Sequence, residues 1–140
     1  MYGKQKSSKM KSNNVKKINP KLYRAKALRL AFRKLGHNLS VDEILTTMSL
    51  NYICPYCDKP VEPLSWSIDH LTPKNRGGSN SLDNLHLVCI KCNKVKGDLT
   101  DEEFKQLMAF LKDKPVIYEN LYKRLRMAGM VFMFNRKKRD

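Results

Sequence analysis

Asp69 and His70 stand side by side in Ser67-Ile68-Asp69-His70. An imidazole titrates near neutrality, so His70 can take a proton from water. Hard divalent cations prefer oxygen ligands, and the carboxylate of Asp69 is one. Asn84 and Asn93 follow, each with an amide oxygen, and Asn93 comes directly after Cys92. Such a set suits hydrolysis of a phosphodiester. The histidine activates water, while a divalent cation neutralises charge on the phosphorus and the departing oxygen. Adjacent residues on a regular strand point to opposite faces. Asp69 and His70 can therefore serve one phosphate only if one reaches the cation and the other addresses the attacking water. Asn93, on a helix crossing the strands, could supply the second oxygen ligand. Singly, these residues have plainer readings: Asp69-His70 as a turn pair, Asn84 as a turn residue after Asp83, Asn93 as a helix N-cap.

The four cysteines fall in two Cys-x-x-Cys pairs, Cys54-Pro55-Tyr56-Cys57 and Cys89-Ile90-Lys91-Cys92. Paired spacing of this kind favours a tetrahedral zinc site in a reducing, intracellular setting. Disulfides and redox Cys-x-x-Cys chemistry are the competing readings. Zinc held by all four cysteines would be structural and would fix the spacing between the Asp69-His70 strand and Asn93. No apolar run approaches the roughly 18 to 20 residues of a membrane span. The N-terminus is basic but lacks the apolar core of a signal peptide.

Lys and Arg number 28 against 13 Asp and Glu, a formal net charge of +15. A balance this basic implies a polyanionic partner. No acid occurs between Met1 and Val41, and the C-terminal end adds Lys123, Arg124, Arg126 and Arg136-Lys137-Lys138-Arg139. Both ends seek phosphate, and the nearly neutral centre is left for chemistry. Residues 1–20, with almost nothing apolar to bury, read as a disordered arm that orders on phosphates. Lys26, Arg29 and Arg33 form a basic face on the helix that follows. Lys74, Arg76, Lys94 and Lys96 flank the candidate site and are expected to clamp phosphates.

The elements that must position these groups are legible in outline. Leu22, Ala25, Leu28, Phe32 and Leu35 recur at helical spacing, predicting a helix over 21–35 that Gly36 stops. Ser40 and Glu43 form a capping box for a helix to about Leu50, with Ile44, Leu45 and Met48 inward. Pro60 and Pro63 break regular structure before a strand at Trp66–His70. A loop over 72–80 leads to a second strand at Leu85–Val88, and Asn93 is expected to open a helical turn toward Gly97. Trp66 is expected in the core beneath the zinc. Thr100 and Glu103 make a second capping box before Phe104, Leu107, Met108 and Leu111. Pro115 begins a further helix with Val116, Ile117, Leu121, Tyr122 and Leu125 inward. Gly129 is expected to end it, leaving Val131–Phe134 extended. His86 reads as a packed or surface histidine, and His37 as a loop residue without a role.

In order along the chain, Ser67-Ile68-Asp69-His70-Leu71-Thr72-Pro73, Gly77-Gly78, Leu82-Asp83-Asn84-Leu85, Cys89-Ile90-Lys91-Cys92-Asn93 and Lys96-Gly97 closely resemble the HNH nuclease family, with its ββα-metal fold. The resemblance runs from about Asn51 to Gly97, a third of the chain. It implies that His70 is the general base and that Asp69 and Asn93 hold one divalent cation, Mg²⁺ or Mn²⁺, on the scissile phosphate. Asn84 would brace the loop and so fix the histidine. Cys54, Cys57, Cys89 and Cys92 match the structural zinc site of many members. Asn93 departs from the founding members, which have histidine there; an amide oxygen moves preference toward harder ions. The expected fold is α+β and mainly helical, a small ββα-metal core with a four-cysteine zinc site between N- and C-terminal helices. The expected layout is a basic arm (1–20) and a single domain (21–140), made of helices over 21–50, the core over 51–99, helices over 100–129 and a basic tail over 130–140. The expected activity is metal-dependent cleavage of DNA, with the duplex as the expected substrate, by a monomer or homodimer. A catalytically silent, zinc-stabilised DNA-binding protein is the alternative. The small format resembles phage-encoded or mobile-element members.

Overall fold

A computed structural model describes residues 17–50 and 52–137, with side chains up to residue 128. Most of the expected N-terminal arm and the last three residues of the basic tail lie outside the described residues. Helix α1 (Pro20–Lys34) begins where the sequence supplies both a cap and a suitable first residue. The Asn19 side chain accepts from the amides of Lys21 at 3.1 Å and Leu22 at 3.3 Å. Pro20 follows at a position where a missing N–H costs nothing. Gly36, at φ 92°, ends the helix in the left-handed region. Helix α2 (Val41–Leu50) opens on the reciprocal bonds Ser40 N to Glu43 Oε2, 2.7 Å, and Glu43 N to Ser40 Oγ, 3.1 Å.

Strands β1 (Trp66–His70) and β2 (Leu85–Cys89) pair antiparallel, with Asp69 opposite His86 and His70 opposite Leu85. Helix α3 (Ile90–Lys96) follows at once, then α4 (Asp101–Leu111) and α5 (Pro115–Lys137). A two-stranded sheet is marginal by itself. Here it is a wall between two cores, because side chains alternate across a strand. Trp66, Ile68, Leu85 and Leu87 pack with Ala25, Leu28 and Phe32 of α1 and Ile44 and Met48 of α2. Val88, on the other face, packs with Cys54, Tyr56, Cys92, Val95, Phe104, Met108 and Leu111. Trp66 is thus core, but in the α1–α2 layer and not in the layer that holds the cysteines. Arg24 ties α1 to the sheet by donating to the Trp66 carbonyl.

The architecture is the expected one, mainly helical around a small antiparallel ββα unit and a cysteine cluster. Several boundaries move. Helix α3 starts inside the second cysteine pair, with Cys89 as its N-cap and Asn93 already in its body. Helix α5 continues through Gly129 to Lys137, so Val131–Phe134 are helical and the expected tail is largely a helix end. Val116 and Ile117 are exposed, at 71% and 50%, while Tyr118 packs inward with Leu121, Tyr122 and Leu125. Leu22 on α1 also faces out. An apolar stripe does not reveal which neighbour will cover it, and that is the source of these packing differences.

Candidate active site

The loop joining β1 to β2 is drawn tight by one side chain. Asn84 Oδ1 accepts from Thr72 N at 2.9 Å, and its Nδ2 donates to Thr72 O at 3.0 Å and Ser79 O at 2.8 Å. Its backbone carbonyl takes the Leu71 amide at 2.9 Å. The two ends of the loop meet so closely that a Cβ on Gly78 would stand 1.7 Å from the Thr72 carbonyl oxygen. Only glycine fits there.

His70 is the last residue of β1, at the mouth of this loop, and its Nε2 lies 2.9 Å from Asn80 Oδ1. Asp69 points to the other face of the strand and is only 4% exposed. Its Oδ1 accepts from Lys96 Nζ at 3.0 Å; its Oδ2 accepts from the Tyr56 hydroxyl at 3.0 Å and meets His86 Nε2 at 2.7 Å. Lys96 also donates to the His70 carbonyl at 2.7 Å. Tyr56 stands between two carboxylates, since its hydroxyl is also 2.9 Å from Asp101 Oδ1. Burial, together with the negative charges of Asp69 and Asp101, pushes its phenol well above the ordinary value. Asn93 projects from α3 onto the same stretch of β1, its Nδ2 donating to Ser67 Oγ at 3.1 Å and Ile68 O at 3.0 Å. The amide nitrogen is thereby used, and Oδ1 is the atom left to meet a cation. Asn84 and His70 therefore stand at the loop end of the hairpin, Asp69 one residue back on the opposite face of β1, and Asn93 against the middle of the same strand.

The donor set fits a hard divalent cation, being one carboxylate and one amide oxygen, with His86 Nε2 beside the carboxylate. That carboxylate already carries an internal cation in Lys96, so a metal would have to share or displace it. The four cysteines make a different kind of site. Their sulfurs all lie within 4.8 Å of one another, as tetrahedral thiolate ligands of zinc do. They could bind zinc. Hydrogen bonds from Cys57, then Cys89 and Cys92, hold the Cys54 thiol far below its usual value. The knuckles are preformed: Cys54 N donates to Lys59 O at 2.9 Å, and Cys92 N to Cys89 Sγ at 3.3 Å. Asp58 makes the tight turn at φ 57°.

The expected phosphate clamps separate into three kinds. Lys74 and Lys94 are exposed beside the site, and Lys26, Arg29 and Arg33 are exposed on α1. Arg76 is exposed but engaged by both carboxylate oxygens of Glu103. Lys96 is buried, 2% exposed, and spent on Asp69, although from sequence it reads as a surface charge. Around Asp69, the sequence reads His86 as a packed or surface histidine and Lys96 as a phosphate clamp, and it gives Tyr56 no role. The signal for His86 was present, because pairing His70 with Leu85 in an antiparallel ladder puts Asp69 directly across from it. Lys96 is one turn beyond Asn93, on the same side of α3. Nothing in the sequence marks Tyr56 except its place inside the first cysteine pair.

The sequence profile of the HNH endonuclease family matches residues 54–99, which hold both cysteine pairs, the hairpin and α3. The CRISPR-associated endonuclease Cas9 of Corynebacterium diphtheriae is 37% identical to this chain over 49 residues. That similarity covers 34% of this chain and 4% of the length of the Cas9 protein. No helix among the described residues is long and apolar enough to cross a membrane. Residues 54–99 of this chain are thus similar to the HNH endonuclease family, and the helices on either side lie outside the match.

Proposed function

We propose that the chain is a metal-dependent DNA endonuclease that hydrolyses phosphodiester bonds, with a structural zinc on Cys54, Cys57, Cys89 and Cys92. The observation that supports this most is that Asp69 and His70 are consecutive on β1, the strand that Asn93 reaches from α3, and that Asn84 cinches the loop beginning just after them. A divalent cation, Mg²⁺ or Mn²⁺, when bound supplies positive charge to the phosphate as it becomes pentacovalent. Asp69, through its carboxylate, and Asn93, through Oδ1, are the residues to hold it. His70 takes the proton of the attacking water through its ring. The Asn84 bonds hold the loop from which the histidine is aimed, so little reorganisation is needed at the moment of reaction. The net charge of +15 and the exposed Lys26, Arg29 and Arg33 supply the sequence-independent attraction for the DNA backbone.

A second reading, a DNA-binding protein without nuclease activity, draws support from one specific feature. Asp69 is already engaged by Lys96, Tyr56 and His86, and only a cation able to compete with them would make the site active. Supercoiled plasmid separates the two. The nuclease nicks or linearises it when Mg²⁺ or Mn²⁺ is added and not in EDTA; the silent binder retards it in a salt-dependent way and leaves it supercoiled with every ion tried.

A further inference from the structure

His70 is oriented from outside its own strand. Its Nε2 lies 2.9 Å from the side-chain oxygen of Asn80. An amide oxygen can only accept, so the nitrogen facing it must carry the hydrogen. The neutral ring is then the Nε2–H tautomer, and Nδ1 holds the lone pair. No sequence motif assigns Asn80 a task, and Asn84 already braces the loop. Asn80 is nonetheless firmly fixed by its surroundings. Three successive carbonyls are held: Ser79 O by Asn84 Nδ2 at 2.8 Å, Asn80 O by His37 Nε2, and Ser81 O by Asn84 N at 2.9 Å. The middle bond comes from another part of the molecule, the α1–α2 connection. There His37 is itself anchored, its amide donating to Phe32 O at 3.0 Å. A surface asparagine that merely filled a turn would need no such bond.

We propose that Asn80 is a positioning residue for the general base His70, and that His37 positions Asn80. Together they determine that Nδ1 is the nitrogen that takes the water's proton. The chain of bonds is His37 Nε2–H to Asn80 O, and His70 Nε2–H to Asn80 Oδ1. It gives α1 and α2, which lie outside the family match, a defined part in the chemistry. Their packing decides where His37 stands, and His37 decides where the Asn80 amide points. A neutral orienter fixes tautomer and direction without adding a charge beside the base. The proposal rests on the endonuclease reading for the word base, but its geometry can be tested without any cleavage.

The test is ring ¹⁵N chemical shifts of His70 in the full, zinc-loaded chain labelled at histidine, at mildly alkaline pH, with plasmid cleavage measured in parallel. Wild type should show the Nε2–H tautomer. Asn80→Ala should give a mixture of tautomers and lower kcat by roughly 10- to 100-fold, the scale of a misaimed catalytic group, with KM for DNA unchanged. Asn80→Asp, which keeps an accepting oxygen, should retain the Nε2–H tautomer. His37→Ala should move the shifts in the same direction as Asn80→Ala, and His37→Gln, which keeps a donor, should restore them. Zinc content and thermal midpoint guard against loss of fold. A wild-type ring protonated at Nδ1 overturns the proposal, because Asn80 would then be donating to Nε2 and covering it. So does an Asn80→Ala protein with unchanged shifts and unchanged kcat. If wild type cuts nothing with any ion while the shifts behave as described, the endonuclease reading fails and the positioning geometry stands.

Discussion

The two candidate metal sites share the ββα unit, the cysteine site adding the knuckle at Cys54 and Cys57 upstream of β1, and they are built on opposite principles. The cysteine site consists of four like groups with no cation of their own, two of them fully buried. The oxygen site consists of one buried carboxylate already balanced by a buried ammonium, Lys96 on Asp69 at 3.0 Å. Without metal, the first leaves thiols packed against thiols in the middle of the Val88–Phe104 core. The second leaves a hydrogen-bonded ion pair that satisfies itself. Removing metal should therefore unfold the chain at one site and merely disarm it at the other. A structural site is closed and needs its ion to exist, whereas a catalytic site has to survive while empty of substrate and ion.

The largest expected effect is on the cysteine side. Structural zinc contributes about 10–16 kcal/mol, as much as a domain's whole stability. Stripping zinc, or Cys54→Ser, should abolish the cooperative thermal transition; a melting midpoint equal to wild type would refute the structural role. Next comes Lys96→Met. It leaves the Asp69 charge buried without its partner and should cost about 3–5 kcal/mol, measured by urea denaturation. Adding Asp69→Asn should recover part of that loss, since the two groups are coupled. The same Lys96→Met protein should be stabilised by millimolar Mn²⁺ more than wild type is, because the competing ammonium is gone. Equal responses would mean that the cation does not bind at Asp69.

The smallest effect lies at the rim, where Arg76 of the loop meets Glu103 of α4. The hydrogen bonds from Arg76, then from the Thr100 backbone amide, hold the Glu103 carboxyl down at about 2 against an ordinary 4.5. The folded value is the lower one, so this stabilisation is present above the ordinary value and disappears as pH falls from about 4.5 toward 2. Both groups are exposed and solvent screens them, so the gain is slight. Melting curves of wild type and Glu103→Gln should converge as pH drops through that window. Curves that stay parallel would show that the pair does not couple to folding.

Much of this could be read from the chain alone, for physical reasons that differ by element. Both capping boxes were legible because Ser40/Glu43 and Thr100/Glu103 satisfy each other within one turn and need no tertiary partner. The strands and the cysteine pairs were legible from short-range pattern, period-two alternation and Cys-x-x-Cys spacing, although their partners lie far along the chain. Lys96 was not, because what buries it is the alignment of α3 against β1, which no local pattern encodes. Val116 and Ile117 misled because an apolar pair on a helix does not reveal which side meets the core. Gly129 misled because a glycine can interrupt a helical pattern without stopping it. His37 and Asn80 are far apart in sequence, and only the stacking of the α1–α2 layer on the hairpin loop brings them together.

On the proposed reading, the contrast between a site that holds the fold and a site that does chemistry comes down to His70, which is assigned wholly to the second. His70→Ala should keep the zinc stoichiometry, melting behaviour and salt-dependent DNA affinity of wild type, while plasmid cleavage in Mg²⁺ or Mn²⁺ falls by about 10²- to 10⁴-fold, the usual contribution of a general base. A His70→Ala protein that is folded, zinc-loaded and still cuts at the wild-type rate would contradict the account.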